Sequence, residues 1–170
     1  MDPQSFIPRR TALAALVSAA VSGTLYALNN REPAPRFTAT TLDGEKFTND
    51  SVKGKVVLLQ FWATWCQYCR RDQPAVDSIV HDFPDKLVVL AIDVGESKKK
   101  VKQYLEDTPR ACKIVLTENT NLAAMYAAKA FPLYVVIDRD GNIAGTQRGA
   151  GREGSLRQLL KKAGLELELE

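Results

Sequence analysis

The run Val56-Val57-Leu58-Leu59-Gln60-Phe61-Trp62 holds a single polar residue and leads directly into the pair Cys66-Gln67-Tyr68-Cys69. A continuous apolar run, unlike an alternating one, reads as a strand buried on both faces of a sheet. Ala63 to Trp65 forms a turn, and a helix follows from about Cys66 to Asp82. Pro74 falls inside that helix, removes one backbone hydrogen bond and predicts a kink. The cysteine pair thus sits where a central strand passes into a helix. Two cysteines one helical turn apart can close and reopen a disulfide without moving the rest of a fold. So short a loop gains little crosslinking entropy, so the pair reads as a reagent for dithiol–disulfide exchange and not as a staple.

Strands and helices alternate around this centre. Phe37 to Phe47 reads as a hairpin turning at Asp43-Gly44. Leu87 to Asp93 is a second buried strand, and Ser97 is a good N-cap for a helix to about Asp107. Ile114 to Thr117 is a short strand, and Asn121 to Ala128 a short helix with Leu122, Met125 and Tyr126 at core spacing. Phe131 to Ile137 is a strand opened by a proline. Asp140-Gly141 turns it into an antiparallel partner, Asn142 to Gln147, and a last helix spans about Gly154 to Ala163. This order predicts an α/β fold, a central mixed β-sheet flanked by helices, with an N-terminal β-hairpin extension. Residues 36–165 make one domain, residues 29–35 a proline-bearing linker and residues 166–170 a polar tail.

Residues 1–28 read as a targeting segment. Arg9 and Arg10 form a basic start, and Thr11 to Leu28 carries no charge. At about 1.5 Å per residue that stretch lies near the lower limit for spanning a bilayer. Two readings stay open, a cleaved signal peptide and a retained signal anchor. The length and the poor cleavage tripeptide Leu25-Tyr26-Ala27 favour the anchor, and the arginine pair also raises a twin-arginine export signal. The positive-inside rule puts the domain outside the cytoplasm, in the periplasm or its equivalent. The formal charge of +3 is too small to argue for nucleic acid. Lys98-Lys99-Lys100 and Lys102 read as a solvated helix face.

Thiols outside the cytoplasm tend to oxidise, so Cys66 and Cys69 pair and Cys112 is left over. Cys112, just before Ile114-Val115-Leu116, reads as a buried, inert thiol. Cys66 falls at the start of its helix, facing unpaired N–H groups and the positive end of the dipole. That placement lowers a thiol pKa and marks Cys66 as the attacking nucleophile. Cys69, one turn deeper, is the resolving thiol. A zinc site lacks ligands, because the chain has no second C-x-x-C and one histidine, His81, at a polar helix end. The chemistry calls for no cofactor.

Four segments then act together: FWATWCQYC (residues 61–69), Asp72-Gln73-Pro74, AIDVGESK (91–98) and FPLYVVIDRDGNI (131–143). In this order and spacing they resemble the membrane-tethered or periplasmic thioredoxin-like proteins of the TlpA/ResA type, over about Pro33 to Leu160. The resemblance implies a thioredoxin fold and reduction of disulfides in other exported proteins, such as apocytochrome c or metal-site assembly proteins. It also implies an upstream membrane thiol reductant that restores the dithiol. Pro132 matches the family's cis-proline, which faces the C-x-x-C and lets the backbone before it pair with a substrate strand. Asp72 matches an acidic residue three positions after the second cysteine, where a carboxylate can shuttle a proton. Gln60 takes the strand position where thioredoxins keep a buried acid. Trp62 and Trp65 are expected to shield the site, and Trp65, Gln67, Tyr68 and Phe131 to meet the substrate. Gln67-Tyr68 and Leu133-Tyr134 depart from the family's usual residues, and both places tune potential and partner choice. Three other readings remain: a Cu(I) chaperone, since two thiolates suit that ion, a disulfide oxidase or isomerase, and a peroxidase. The last would need a lone peroxidatic cysteine where this chain has a C-x-x-C.

Overall fold

β3 (Val56–Trp62) is buried at all seven positions, and the parity of its residues divides the core. Val56, Leu58 and Trp62 face one apolar cluster, while Val57, Leu59 and Phe61 face the other. A strand apolar on both sides is stable only with cover on both sides. A computed structural model describes residues 31–166 and supplies that cover. The targeting segment expected over residues 1–28 lies outside the described residues. Among the described residues no helix is long and apolar enough to cross a membrane.

β3 pairs in parallel with β4 (Leu87–Asp93), which pairs in parallel with β5 (Lys113–Thr120). On its other side β3 meets β6 (Leu133–Ile137) antiparallel, and β6 meets β7 (Ile143–Arg148) antiparallel. The hairpin of β1 (Thr38–Thr41) and β2 (Lys46–Thr48) extends the sheet beyond β5, giving the order β2-β1-β5-β4-β3-β6-β7. Gly44 at φ 91° allows the hairpin turn, as the Asp43-Gly44 signal predicts. One face carries α1 (Gln67–Asp82) and α4 (Glu153–Lys161), with Val76, Ile79, Leu156, Leu159 and Leu160 in its core. Val101 of α2 (Lys98–Asp107) joins the same cluster. The other face is covered by Phe37, Phe47 and Val52 together with Leu122 of the short α3 (Leu122–Met125).

Arg157 of α4 locks that helix to α1: its Nη2 reaches Asp82 at 2.5 Å and the Ser78 hydroxyl at 3.2 Å. α1 continues through Pro74. The main-chain bond that Pro74 omits would have reached Arg70, an exposed residue whose carbonyl water can serve. Ser97 caps α2 as expected, its Oγ accepting from the Lys100 N–H.

Two elements differ from expectation. α3 stops at Met125 rather than Ala128, and Ala127 takes φ 45°. Asn121 does not cap it. Its side chain instead accepts from the Thr38 N–H and donates to the Arg36 carbonyl, tying down the N-terminal segment. β5 runs on through the polar Glu118-Asn119-Thr120 because its far half pairs with β1, Ala39 opposite Thr120. Leu58 is fully enclosed between β3 and α1. Leu58→Ala should therefore lower unfolding free energy by about 2–5 kcal/mol, read from urea midpoints of the oxidised protein.

Candidate functional site

The carboxyl end of β3 delivers the chain to Ala63-Thr64-Trp65, and Cys66 stands as the N-cap of α1 with φ −75° and ψ 102°. Its Sγ accepts from the Cys69 main-chain N–H at 3.1 Å, the place a serine or aspartate oxygen takes in an ordinary cap. The first turn of α1 holds no acidic residue that would compete for the positive helix end. Cys66 and Cys69 are bonded as a disulfide with Cα atoms 5.3 Å apart. Cys66 is 4% exposed and Cys69 fully buried, so the first cysteine is the outer one.

An aromatic rim surrounds the pair. Trp65 is 62% exposed and meets Phe131 edge-on, with ring centroids 5.9 Å apart. Tyr68 is 59% exposed and lies under the Arg71 guanidinium at 5.2 Å. Gln67 is exposed at the start of α1. The Phe131–Pro132 bond is cis, as the resemblance implies, and the Pro132 carbonyl accepts from the Gly149 N–H at 2.8 Å. Trp62 does not join this rim. It is wholly buried, stacked under Arg110 at 3.5 Å and against Tyr104 at 5.6 Å, because it ends a strand covered on both faces.

Beneath α1 lies a buried polar layer. Asp72 is 3% exposed, and its Oδ2 accepts from the Gly151 N–H at 2.5 Å and the Tyr134 hydroxyl at 3.1 Å. Burial first, then the charge and hydrogen bond of Asp72, hold the Tyr134 phenol far above its usual range, so it stays a donor. Gln60, opposite Tyr134 in the β3–β6 register, donates to Gln73 Oε1 at 3.4 Å. Gln73 donates on to Asp77 at 2.8 Å and toward Cys112 Sγ at 3.7 Å. Gln60 therefore reaches α1 at Gln73, one turn past Cys69.

Some of the site is silent in the sequence. Tyr134 is visible only as a departure from the resembled family, and Gly151 as an ordinary loop glycine. Thr64, Asp93 and Glu96 form a second polar cluster behind the Cys66 turn. Glu96 accepts the Thr64 N–H and hydroxyl at 2.5 and 2.7 Å. The signal available for it is two acidic residues three apart at the end of the strand beside β3.

The sequence pattern of the AhpC/TSA family matches residues 31–146. The chain belongs to the AhpC/TSA family. The thioredoxin-like protein YneN of Bacillus subtilis is 34% identical over 131 residues, 76% of this chain and 77% of that protein. The thiol–disulfide oxidoreductase ResA of Bacillus cereus is 29% identical over 131 residues, 74% of this chain and 76% of its own length. Among solved structures, the exposed lipoprotein thioredoxin Etrx1 of Streptococcus pneumoniae superposes with a TM-score of 0.66 at 25% identity. That match covers 75% of this chain and 99% of Etrx1. The fold is that of thioredoxin. With relatives named for the activity and a bonded Cys66–Cys69 pair at the sheet end, this family member is a thiol–disulfide oxidoreductase.

The third cysteine stands apart from this chemistry. Cys112 is buried, and desolvation pushes its thiol up to about 11 despite the opposing charge of Arg110. In the reduced protein at pH 7.5, iodoacetamide should modify Cys66 at least about 100-fold faster than Cys112, since only the thiolate attacks. Peptide mass spectrometry over time checks this, and equal rates would contradict it.

Proposed function

We propose that this chain is an exported disulfide reductase, held at the membrane by residues 1–28, whose working thiol is Cys66. The observation that carries the reading is Cys66 Sγ at the α1 N-cap, accepting the Cys69 N–H at 3.1 Å beside an exposed aromatic rim. A sulfur seated there is stabilised as a thiolate by the helix end it caps.

In the reduced state the Cys66 thiolate attacks one sulfur of a substrate disulfide. A mixed disulfide forms, and the other substrate sulfur leaves as a thiolate that takes a proton. Cys69 then loses its proton and attacks Cys66 Sγ. The second substrate thiol is released, and the Cys66–Cys69 disulfide holds the two-electron oxidation. Asp72, buried one turn beyond Cys69, is the acceptor assigned to the Cys69 proton. The oxidised pair is restored by a membrane thiol donor through the same exchange in reverse.

Trp65, Gln67, Tyr68 and Phe131 form the rim on which the substrate chain rests, with Pro132 as its wall. The exposure of Trp65 and Tyr68 supports this role, because large aromatics left in water mark contact surfaces. The uncharged stretch behind Arg9-Arg10 supports export. The substrates are exported proteins whose cysteines must be free, among them apocytochrome c and metal-site assembly proteins.

Full-length Cys69→Ser, expressed in a bacterium, cannot resolve its adducts. It should accumulate reductant-sensitive mixed disulfides through Cys66 with exported proteins, recovered in the membrane fraction. Cys66→Ser should trap none and lose insulin-disulfide reduction by about 1,000-fold or more, since the nucleophile itself is gone. Adducts formed with cytoplasmic proteins, or by Cys66→Ser, would contradict the reading. Cu(I) binding by the reduced pair without any disulfide exchange would favour the chaperone instead.

A further inference from the structure

The turn that presents Cys66 is gripped from outside its own helix. Thr64, two residues before Cys66, gives both its N–H and its hydroxyl to the Glu96 carboxylate. Glu96 lies in the loop between β4 and α2, and Lys100 of α2 reaches its Oε1 at 2.6 Å. The loop is anchored at both sides. The Val94 N–H donates to the Trp62 carbonyl at 3.0 Å, and the Thr117 hydroxyl to the Asp93 carbonyl at 2.7 Å.

Behind Glu96 stands Asp93, the last residue of β4, wholly without exposed surface and paired in register with Trp62. Asp93 Oδ1 accepts the Glu96 N–H at 3.2 Å. Its Oδ2 is buried with no hydrogen-bond partner among the described residues. The two carboxyl groups are neighbours across this N–H bond, and each acts on the charge of the other. Two carboxyl groups so placed need a proton between them, because neither can donate when both are ionised.

We propose that Asp93 is a positioning residue: as a neutral acid it donates to Glu96, fixes that carboxylate on Thr64, and so holds Cys66 at the helix N-terminus. This rests on the reading of Cys66 as the attacking thiol. Burial, followed by the hydrogen bond and charge of Glu96, pushes Asp93 up to about 7. Burial works against ionisation of Glu96, but hydrogen bonds from Asp93, Lys100 and Thr64 outweigh it and hold Glu96 down at about 2. The charged groups facing Asp93 are Glu96 from the loop and Lys100 from α2, while β3 presents Trp62 and β5 Thr117. Because the folded state raises this acid, its stabilising contribution is complete below about pH 4 and is lost as pH rises through about 7. Above that pH a second negative charge lies beside Glu96. It weakens the grip on Thr64 and disfavours a thiolate at Cys66.

Asp93→Asn keeps the shape and a neutral donor, and so imitates the protonated acid at every pH. The measurement is the alkylation rate of Cys66 in the reduced full-length protein from pH 5.5 to 8.5, with thermal melts to confirm folding. The ratio of wild-type to Asp93→Asn rates should be near one at pH 5.5 and fall by about threefold or more by pH 8.5. A ratio that does not change with pH overturns the proposal. Glu96→Gln supplies an independent arm, because it removes the charge that keeps Asp93 protonated. Its alkylation profile, compared with wild type, should show the step displaced to lower pH, and an undisplaced step overturns the proposal. Failure of the thiol reading itself looks different: Cys66 would then react no faster than Cys112 at any pH.

Discussion

One contact organises this molecule: the Cys69 N–H pointing at Cys66 Sγ at the first turn of α1. It exists because β3 ends in the interior and α1 starts at once, so the sulfur and the helix dipole share one point in space. Both neighbours of that point are rigid. β3 is held by β4 and β6 along its length, and α1 is packed on the sheet through Val76 and Ile79 and pinned to α4 by Arg157. A thiol mounted this way needs no large motion to exchange its bond. The rest of the fold can be read as the frame that keeps the helix end facing the sulfur.

The second constraint is polar. A carboxylate, a phenol and two amides lie buried where α1 meets the sheet, and each would be costly there without partners. Asp72 is met by Gly151 and Tyr134, and Gln60 and Gln73 carry the chain of contacts to Asp77 and Cys112. Hydrogen bonds to charged groups contribute about 1.5–3 kcal/mol each, so Asp72 and its two donors fix one another. A phenol on β6 is long enough to reach the helix, where its hydroxyl donates to Asp72.

The frame was largely legible from residues. An unbroken apolar strand, an alternation of strands with helices, and the Asp-Gly turns are local signals, and local signals dominate where they agree with packing. The sequence misled where tertiary pairing overrode local preference. Glu118-Asn119-Thr120 has no apolar pattern, yet β1 completes its ladder. The short helix expected to run to Ala128 stops at Met125, where Ala127 takes a positive φ. The cysteine pair is readable because its spacing is short and distinctive, and the cis-proline because the family resemblance implies it. Asp93, Glu96 and Gly151 were not, because their meaning lies in contacts across the sheet end between residues up to 79 positions apart.

A reductase reading makes a demand that geometry at the helix end alone does not meet: the dithiol must give electrons up readily. Redox titration of the Cys66–Cys69 couple against glutathione or dithiothreitol buffers, read by tryptophan fluorescence or alkylation, measures this directly. The account predicts a potential on the thioredoxin side of the range, near about −270 mV. A value near about −120 mV, on the side of the strong oxidants, would contradict it.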